Sequence, residues 1–216
     1  MTDIVIVCDD LFGLEIYSLI EEINKRVMIK DRCPRYRMDG FVTVTDDPFG
    51  ELRSPLPILG KLESWTPAEG VKVVLGLRSP EAKAAAVELL RGRNAQFETI
   101  KAPWMLSFSK WLTIGEGCIV APYSAKPGMV IGDFVTIVSS MLSGHGIGDY
   151  STVMRLSNIA GETIGKNSYV GDHVFLAVGK SIGDGCYVED GSIVVKDVKD
   201  GVRVSGVPAK KKKEGR

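Results

Sequence analysis

The chain has 216 residues, with 27 Lys and Arg against 27 Asp and Glu, 44% hydrophobic residues, 24 glycines and 7% aromatics. This composition is typical of a soluble globular protein of one or two domains. A net charge of zero provides no global field to hold a polyanion, which argues against nucleic acid as a partner. The first apolar run is far shorter than a membrane-spanning helix, and no signal-peptide pattern precedes it. We therefore expect a cytoplasmic protein with no membrane partner.

The cysteines and histidines argue against a metal centre. Four widely spaced cysteines form no Cys-x-x-Cys pair, so we expect reduced and mostly buried thiols. The chain has two histidines, His145 and His173. Zinc usually takes three or four His, Cys or carboxylate ligands, and we therefore predict that the protein binds no metal.

The first hundred residues alternate between strand and helix patterns. Short apolar runs at residues 4–7, 41–44 and 71–75 predict buried strands, and residues 97–100 return to extended chain. One helix is predicted at residues 13–26, with its apolar side chains on one face. A second follows the N-cap pair Ser79 and Pro80 and stops at Gly92. This order predicts a small parallel, Rossmann-like sheet covered by helices.

From residue 114 onward the dominant period is six. A bulky aliphatic opens each of six consecutive hexads, at Ile164, Val170, Leu176, Ile182, Val188 and Val194. Earlier hexads start at positions 114, 120, 131, 137, 147, 153 and 159, with interruptions. Aliphatic side chains at this spacing stack one coil upon the next in a parallel β-helix. An antiparallel sandwich, the alternative for a segment rich in Gly, Asp and β-branched residues, does not require so strict a spacing.

Three further features narrow the range of protein families that the hexads could represent. They are an Ile-Gly-Asp-Phe stretch at residues 131–134, the segment around His145 with Ile-Gly-Asp at 147–149, and a Ser-Gly-Val-Pro-Ala-Lys ending at 205–210. Together with the hexads and the preceding α/β domain, they resemble the bacterial hexapeptide-repeat sugar acetyltransferases that modify sialic acid or nucleotide-linked amino sugars. The resemblance covers nearly the whole chain. It implies a left-handed β-helix, a homotrimer, and acetyl-CoA bound in clefts between subunits.

The predicted organisation has three parts. Residues 1–102 form a small α/β acceptor-binding domain, residues 103–204 an all-β left-handed β-helix that carries the acyltransferase site, and residues 205–216 a C-terminal tail. The basic run at 210–213 is either a solvated tail or, as the resemblance implies, the place where Lys210 meets the phosphates of the cofactor.

The resemblance assigns the catalytic base to His145, read as the third residue of a hexad that begins at Ser143. In the family such a histidine takes a proton from the acceptor amine or hydroxyl while that group attacks the acetyl thioester directly. The acidic residue that usually follows this histidine is replaced by Gly146, and the nearest carboxylate in the sequence, Asp149, has the pattern of an ordinary corner residue. The hexads on both sides of His145 are shortened, so the geometry there is expected to differ from the family's.

Cofactor contacts are assigned in the same way. The positions that match the family are Thr152, Gly161, Asp172 and Asp190, and of these Gly161 agrees with the family pattern. The two aspartates would repel an anionic cofactor unless they point away from it, and the alternative is that both are solvated corners of the β-helix.

The acceptor side departs furthest from the family. Relatives that use nucleotide-linked sugars have a glycine-rich turn after the first strand, which lets the backbone approach a diphosphate. This chain has Asp9 and Asp10 there, Phe12 in place of the usual histidine, and only Gly13 of the glycines. We expect Asp9, Asp10 and Phe12 to contact an acceptor that is cationic or rich in hydroxyl groups, such as a sugar without a nucleotide or a small amine.

Two functions remain open from the sequence. The first is an acetyl-CoA-dependent acetyltransferase that modifies an amine or hydroxyl of a sugar-like acceptor in a ternary complex. The alternative is a catalytically idle trimeric binding or scaffold protein that has lost acyl-CoA use. A β-helix carbonic anhydrase is disfavoured, because it needs three zinc-binding histidines. Tight binding of acetyl-CoA would separate the first two functions.

Overall fold

The computed structural model describes residues 1–102, 104–105 and 111–212, apart from the side chains of residues 30 and 31. Within these ranges no helix has the length and apolar character needed to cross a membrane. Three of the predicted free thiols, Cys8, Cys118 and Cys186, are buried, whereas Cys33 is exposed.

The N-terminal domain is a five-stranded parallel sheet with one helix on each face. Its strands, in the spatial order β3-β2-β1-β4-β5, are β1 (Thr2–Cys8), β2 (Tyr36–Thr43), β3 (Ile58–Lys61), β4 (Lys72–Gly76) and β5 (Gln96–Phe97). Helix α1 (Phe12–Asp31) follows β1, and α2 (Pro80–Arg91) follows β4. Alternate residues of β1 pack on opposite sides, with Ile4 and Ile6 beneath α1 and Val5 and Val7 beneath α2. Burial on both faces explains the unbroken apolar run.

The predicted elements of this domain are confirmed, but several bounds differ. Strand β2 begins at Tyr36 rather than at residue 41, and the extended stretch predicted at 97–100 is divided between β5 and the strand Ile100–Lys101. Helix α1 is longer than the predicted 13–26, because half-buried Val27 extends its apolar stripe one turn beyond Ile23. Strand β3 was not predicted. It lies at the edge of the sheet and Ile58 is exposed, so its residues do not form the apolar run that marks a buried strand. The N-cap of α2 is as predicted: the hydroxyl of Ser79 accepts a hydrogen bond from the N–H of Ala82 at 3.1 Å.

The rest of the chain is a left-handed parallel β-helix with three faces. Face 1 contains β6 (Ile100–Lys101), β8 (Ile119–Ala121), β11 (Thr136–Val138), β14 (Thr152–Val153), β17 (Tyr169–Val170), β19 (Tyr187–Val188), β21 (Arg203–Ser205) and the antiparallel β22 (Lys210–Lys211). Face 2 contains β7 (Thr113–Ile114), β10 (Val130–Ile131), β13 (Gly146–Ile147) and β16 (Thr163–Ile164). Face 3 contains β9 (Ser124–Ala125), β12 (Met141–Leu142), β15 (Asn158–Ile159), β18 (Phe175–Leu176) and β20 (Ile193–Val194).

The six-residue repeat has the predicted structural meaning. Equivalent aliphatic residues lie side by side on successive coils, as Ile147 does with Ile164 and Val153 with Val170, and they form one continuous buried core. All of the inter-coil pairs are parallel except the final return of β22, which rules out the antiparallel sandwich.

Both ends of the β-helix differ slightly from the predicted domain bounds. Strand β6, at residues 100–101, already pairs with β8, so the first coil begins just before the predicted boundary at residues 102 and 103. Residue 103 itself lies outside the described residues, as does residue 213 of the predicted basic run. At the other end, β22 pairs with β21, so this part of the tail is bound to face 1 rather than detached from it.

One hexad assignment is wrong. The buried hydrophobic residue between Ile137 and Ile147 is Leu142, whereas Ser143 is exposed, so His145 is fourth in its repeat rather than third. The turn after Leu142 is one residue shorter than the usual hexad and brings neighbouring coils very close together. A Cβ at Gly144 would lie 2.7 Å from the carbonyl oxygens of Gly161 and Glu162, so this corner requires a glycine.

Candidate active site

His145 lies at the corner of the β-helix where face 3 turns into face 2, between β12 and β13. Its Nδ1 is 2.6 Å from a carboxylate oxygen of Glu162, which occupies the same corner one coil later. Its Nε2 is 3.0 Å from Nζ of Lys126, at the same corner one coil earlier. The side chain of His145 is 62% exposed, so the imidazole is held between an anion and a cation on an open ridge.

Glu162 supplies the acidic partner that is missing directly after His145 in the sequence. A carboxylate at Nδ1 orients the ring, stabilises an imidazolium, and leaves Nε2 as the nitrogen that can accept a proton. The backbone joins the two residues as well, because the N–H of His145 donates to the carbonyl oxygen of Glu162 at 2.6 Å. The sequence around His145 does not reveal this partner, because the neighbours of a β-helix residue lie one coil away rather than beside it in the chain.

Asp149 has the corner role that its sequence pattern predicts. One of its carboxylate oxygens accepts the backbone N–H of Asp133 at 3.0 Å, and the other is 3.1 Å from Nζ of Lys166. It is therefore occupied by the neighbouring coils and makes no contact with His145.

Gly161 lies beside the histidine, at the same corner as Glu162. An added Cβ would approach the carbonyl oxygen of Lys180 and lie 2.6 Å from Cγ of Leu176, so a glycine keeps this corner narrow. The position is compatible with a cofactor that runs along the ridge from His145, and its contact with the cofactor stays a prediction.

Thr152 is in a different environment from the one expected for a cofactor contact. It is 0% exposed on face 1, under the N-terminal domain. Its hydroxyl donates to the carbonyl oxygen of Arg78 at 2.7 Å and accepts from Nζ of Lys83 at 2.9 Å. Because its hydroxyl is engaged and no surface of it is accessible, the structure argues against direct contact between Thr152 and a cofactor.

Asp172 and Asp190 lie at another corner, where face 1 turns into face 3. The carboxylate of Asp172 accepts the backbone N–H of Arg155 at 2.8 Å, and that of Asp190 accepts the N–H of Asp172 at 2.9 Å. These bonds are those of structural β-helix corners. Neither aspartate lies on the ridge of His145, so they create no repulsion there.

Lys210 lines a cavity of about 510 Å³ at the last coil of the β-helix. The walls include the apolar side chains of Val194, Val198 and Val204, and Lys196 also lies on the rim. The cavity therefore combines an apolar floor with basic side chains. This environment is compatible with the predicted contact between Lys210 and phosphate groups.

A second cavity, of about 400 Å³, lies between the two domains. It is located at the carboxyl ends of β1 and β4, where the strand order of the sheet reverses, which is the usual ligand position in open α/β sheets. Its lining comprises Asp9, Asp10, Arg78, Ser79, Pro80, Glu81, Tyr169, Tyr187 and Asp190. The predicted pair Asp9 and Asp10 lies in this wall, and Asp190, predicted as a cofactor residue, lies there too. We call this space the interdomain cavity.

The charges of the interdomain cavity are only partly balanced. Asp10 forms an ion pair with Arg78 and also accepts the N–H of Phe12 at 2.7 Å, which starts helix α1. Burial and the charge of Asp10 raise the pKa of Asp9. In the part of the chain that the structure describes, Oδ1 of Asp9 is buried without a hydrogen-bond partner. Four carboxylates therefore face one guanidinium among the lining residues.

The β-helix contributes an aromatic wall to the same cavity. The rings of Tyr169 and Tyr187 stack with centroids 4.8 Å apart, and the guanidinium of Arg203 lies 4.2 Å from the Tyr187 centroid. Phe12, in contrast, is 1% exposed and belongs to the core beneath α1, so the prediction that it lines the acceptor site is wrong. The guanidinium of Arg78 lies over its ring at 5.9 Å.

Arg78 was missed because no signal in its own segment marks it. It follows β4, and only the parallel pairing of Cys8 with Gly76 brings it beside the loop that follows β1. Within the described ranges, no group of three or more His, Cys, Asp or Glu side chains could hold a metal ion.

No protein-family model matches the chain. The bifunctional protein GlmU of Nitratidesulfovibrio vulgaris is 31% identical over 134 residues, which cover 49% of this chain and 29% of that protein. Galactoside O-acetyltransferase of Escherichia coli is 44% identical over 48 residues, which cover 22% of this chain and 24% of the relative. The chain thus spans less than a third of the length of these curated relatives.

Solved structures match over almost the whole chain. PerB from Caulobacter crescentus, in complex with CoA and GDP-perosamine, has a TM-score of 0.72 at 18% identity, with 99% of this chain and 98% of that chain covered. The acetyltransferase domain of PglB from Neisseria gonorrhoeae has a TM-score of 0.63 at 15% identity, with 98% and 100% covered. The fold is that of the hexapeptide-repeat acetyltransferases with an N-terminal α/β domain. The fold that the sequence resemblance implied is confirmed.

Proposed function

We propose that the protein is an acetyl-CoA-dependent acetyltransferase that modifies an amine or hydroxyl group of a sugar or sugar-like acceptor in one ternary complex. The observation that carries this proposal is the contact of 2.6 Å between His145 and Glu162, which orients an exposed imidazole as a general base. The fold supports this proposal, because solved proteins with the same two-domain architecture are acetyltransferases. One of those structures contains acetyl-CoA.

The reaction needs one proton acceptor and one proton donor. The acceptor's nitrogen or oxygen attacks the carbonyl carbon of the thioester while Nε2 of His145 takes its proton. The carbon–sulfur bond then breaks, and CoA leaves as a thiolate that receives the same proton from the imidazolium. Glu162 stabilises the imidazolium during this interval. Because Lys126 contacts Nε2 in the free protein, the bound acceptor must replace that contact.

A second copy of the chain is needed to complete the site. The interdomain cavity lies on the face 1 side of the β-helix, whereas His145 lies at the opposite corner, between faces 2 and 3. Exposed apolar side chains on face 3 and its corner with face 2 provide a surface for association: Met141, Phe175, Val178 and Val195. We propose a homotrimer in which the cavity of one subunit faces His145 of the next.

The lining of the interdomain cavity favours a particular kind of acceptor. Sugar hydroxyl and ammonium groups are good donors to carboxylates such as Asp9 and Asp190, and the apolar face of a sugar ring packs against tyrosine rings. Only Arg78 among the lining residues offers a positive charge, and Asp10 already pairs with it. We therefore propose a free amino sugar as acceptor, in contrast to the nucleotide-linked acceptor that occupies the PerB structure.

The scaffold alternative is not favoured by the site. It was motivated by the absence of an acidic partner for His145 and by the two aspartates expected in the cofactor cleft. Glu162 provides that partner, and Asp172 and Asp190 lie at another corner.

The test begins with calorimetric titration of acetyl-CoA into the wild-type protein and His145→Ala, where we expect equal affinity. Thiol release is then followed with glucosamine, galactosamine and GDP-perosamine as acceptors, and the alanine variant should be slower by about 100-fold or more. Absence of acetyl-CoA binding to the wild type would refute the proposed function. Turnover of GDP-perosamine alone would refute only the proposal of a free amino sugar.

A further inference from the structure

Lys83 is a buried lysine between the two domains, in a segment where the sequence shows only an amphipathic helix. It lies on α2 and is 1% exposed. Its Nζ is 3.0 Å from the carbonyl oxygens of Phe134 and Ser151, 2.9 Å from the hydroxyl of Thr152, and 3.3 Å from that of Thr136. All four partners belong to the β-helix, and none of them is charged.

Such a lysine is costly to bury unless each N–H group has an acceptor. Here the acceptors come from strands β11 and β14 and from the turns that precede them. Burial lowers the pKa of Lys83 to about 7. Because hydrogen bonds tolerate little displacement, this network holds α2 at a defined position on face 1.

The network continues to the interdomain cavity. The hydroxyl of Thr152, besides accepting from Lys83, donates to the carbonyl oxygen of Arg78 at 2.7 Å. Thr152 is also the direct neighbour of Tyr169 on face 1. The residues behind the cavity thus connect its two walls, namely the loop that carries Arg78 and the stacked tyrosines.

We propose that Lys83 is a positioning residue for acceptor binding, which acts through Thr152 to hold the Arg78 loop at a defined distance from the tyrosine wall. The inference rests on the proposed function only where it identifies the interdomain cavity as the acceptor site. Lys83 itself has no surface with which to touch a substrate, so its effect on binding is indirect.

Four variants test this role. Thr152→Val removes the hydroxyl that links Lys83 to Arg78, and Thr152→Ser keeps it. Thr136→Val removes another hydroxyl partner of Lys83 but leaves the link to Arg78 intact. Lys83→Met removes the ammonium at nearly constant length. All variants are compared by thermal melting, by amide hydrogen exchange of residues 77–82, and by steady-state kinetics with an amino sugar that the wild type uses.

We expect amide exchange at residues 77–82 to become about threefold to tenfold faster in Thr152→Val, which is the effect of one lost hydrogen bond, and faster still in Lys83→Met. Thr152→Ser should restore protection, and Thr136→Val should change it by less than about twofold. In steady-state kinetics with an amino sugar that the wild type uses, KM for that acceptor should rise in Thr152→Val while KM for acetyl-CoA stays constant.

Unchanged exchange at residues 77–82 in both Thr152→Val and Lys83→Met would overturn the inference. So would equal acceleration along the whole chain in Thr152→Val and Thr136→Val, because that result indicates only a general loss of stability. If the wild type neither binds acetyl-CoA nor releases thiol while the loop responds as expected, the proposed function fails and the positioning of the loop by Lys83 stands.

Discussion

Replacing Lys83 by methionine should change the pH dependence of stability in a direction that the structure determines. Burial lowers the pKa of Lys83 in the folded protein to about 7, from 10.5 for a free lysine. Between these values the unfolded chain binds more protons than the folded protein, so the free energy of unfolding rises with pH. Below about pH 7 both states keep the proton, and this dependence disappears.

The magnitude follows from one proton. Each pH unit inside this window adds about 1.4 kcal/mol to the free energy of unfolding of the wild type, and Lys83→Met lacks this contribution. Between pH 7.5 and 9.5, the free-energy difference between the two proteins should therefore change by about 2–3 kcal/mol in favour of the wild type. Burial raises the pKa of the Cys8 thiol to about 12, and this thiol makes the same contribution in both proteins. Cys118 interacts with Lys83, but burial raises its pKa to about 11. Loss of the lysine charge would raise that pKa further, so the thiol stays protonated in both folded proteins throughout the window and its contribution cancels.

Urea unfolding at pH 7.5, 8.5 and 9.5, at one protein concentration, measures this difference directly. Lys25→Met is the matched control, because that side chain is 70% exposed and its loss should leave the pH dependence of the wild type unchanged. Parallel pH dependences for the wild type and Lys83→Met would refute the reasoning, since they would mean that Lys83 releases no proton within the window.

Three further outcomes follow from the site and the core. Glu162→Gln keeps the shape but not the charge beside the imidazolium, so kcat for thiol release should fall by about 10–100-fold while calorimetry finds acetyl-CoA affinity unchanged. Gly161→Ala places a Cβ 2.6 Å from a side-chain carbon of Leu176, and urea unfolding should show a loss of about 1–3 kcal/mol. In the same assay, Leu176→Ala, at 0% exposure, should cost about 2–5 kcal/mol, against less than about 1 kcal/mol for Val130→Ala, whose side chain is 52% exposed on the outer side of face 2.

Each of these outcomes has a contrary result. A wild-type kcat in Glu162→Gln would show that the negative charge of Glu162 plays no part in the mechanism. Wild-type stability in Gly161→Ala would show that the corner has room to open. Equal costs for Leu176→Ala and Val130→Ala would contradict the assignment of inner and outer positions on the β-helix.

The predicted fold was correct wherever the structure depends on a local period. The run at the start of β1 and the Ser79 cap of α2 each depend on a few neighbouring residues, and so does the six-residue repeat. The repeat was misread only around Leu142, where a turn loses one residue and the spacing no longer identifies the inward side chain. Phe12 was misassigned because a loop position taken from a resemblance does not reveal which way a side chain points.

The sequence by itself determined the architecture, because aliphatic spacing sets which side chains a β-helix buries. The catalytic candidate, His145, came from the resemblance of its segment to the hexapeptide-repeat acetyltransferases. The tertiary structure decided which groups surround that histidine and the interdomain cavity. Glu162 reaches His145 across coils, and Lys83 reaches Thr152 across domains. Such proximity depends on the register between coils and on the docking of one domain on the other, and neither is a property of neighbouring residues in the chain.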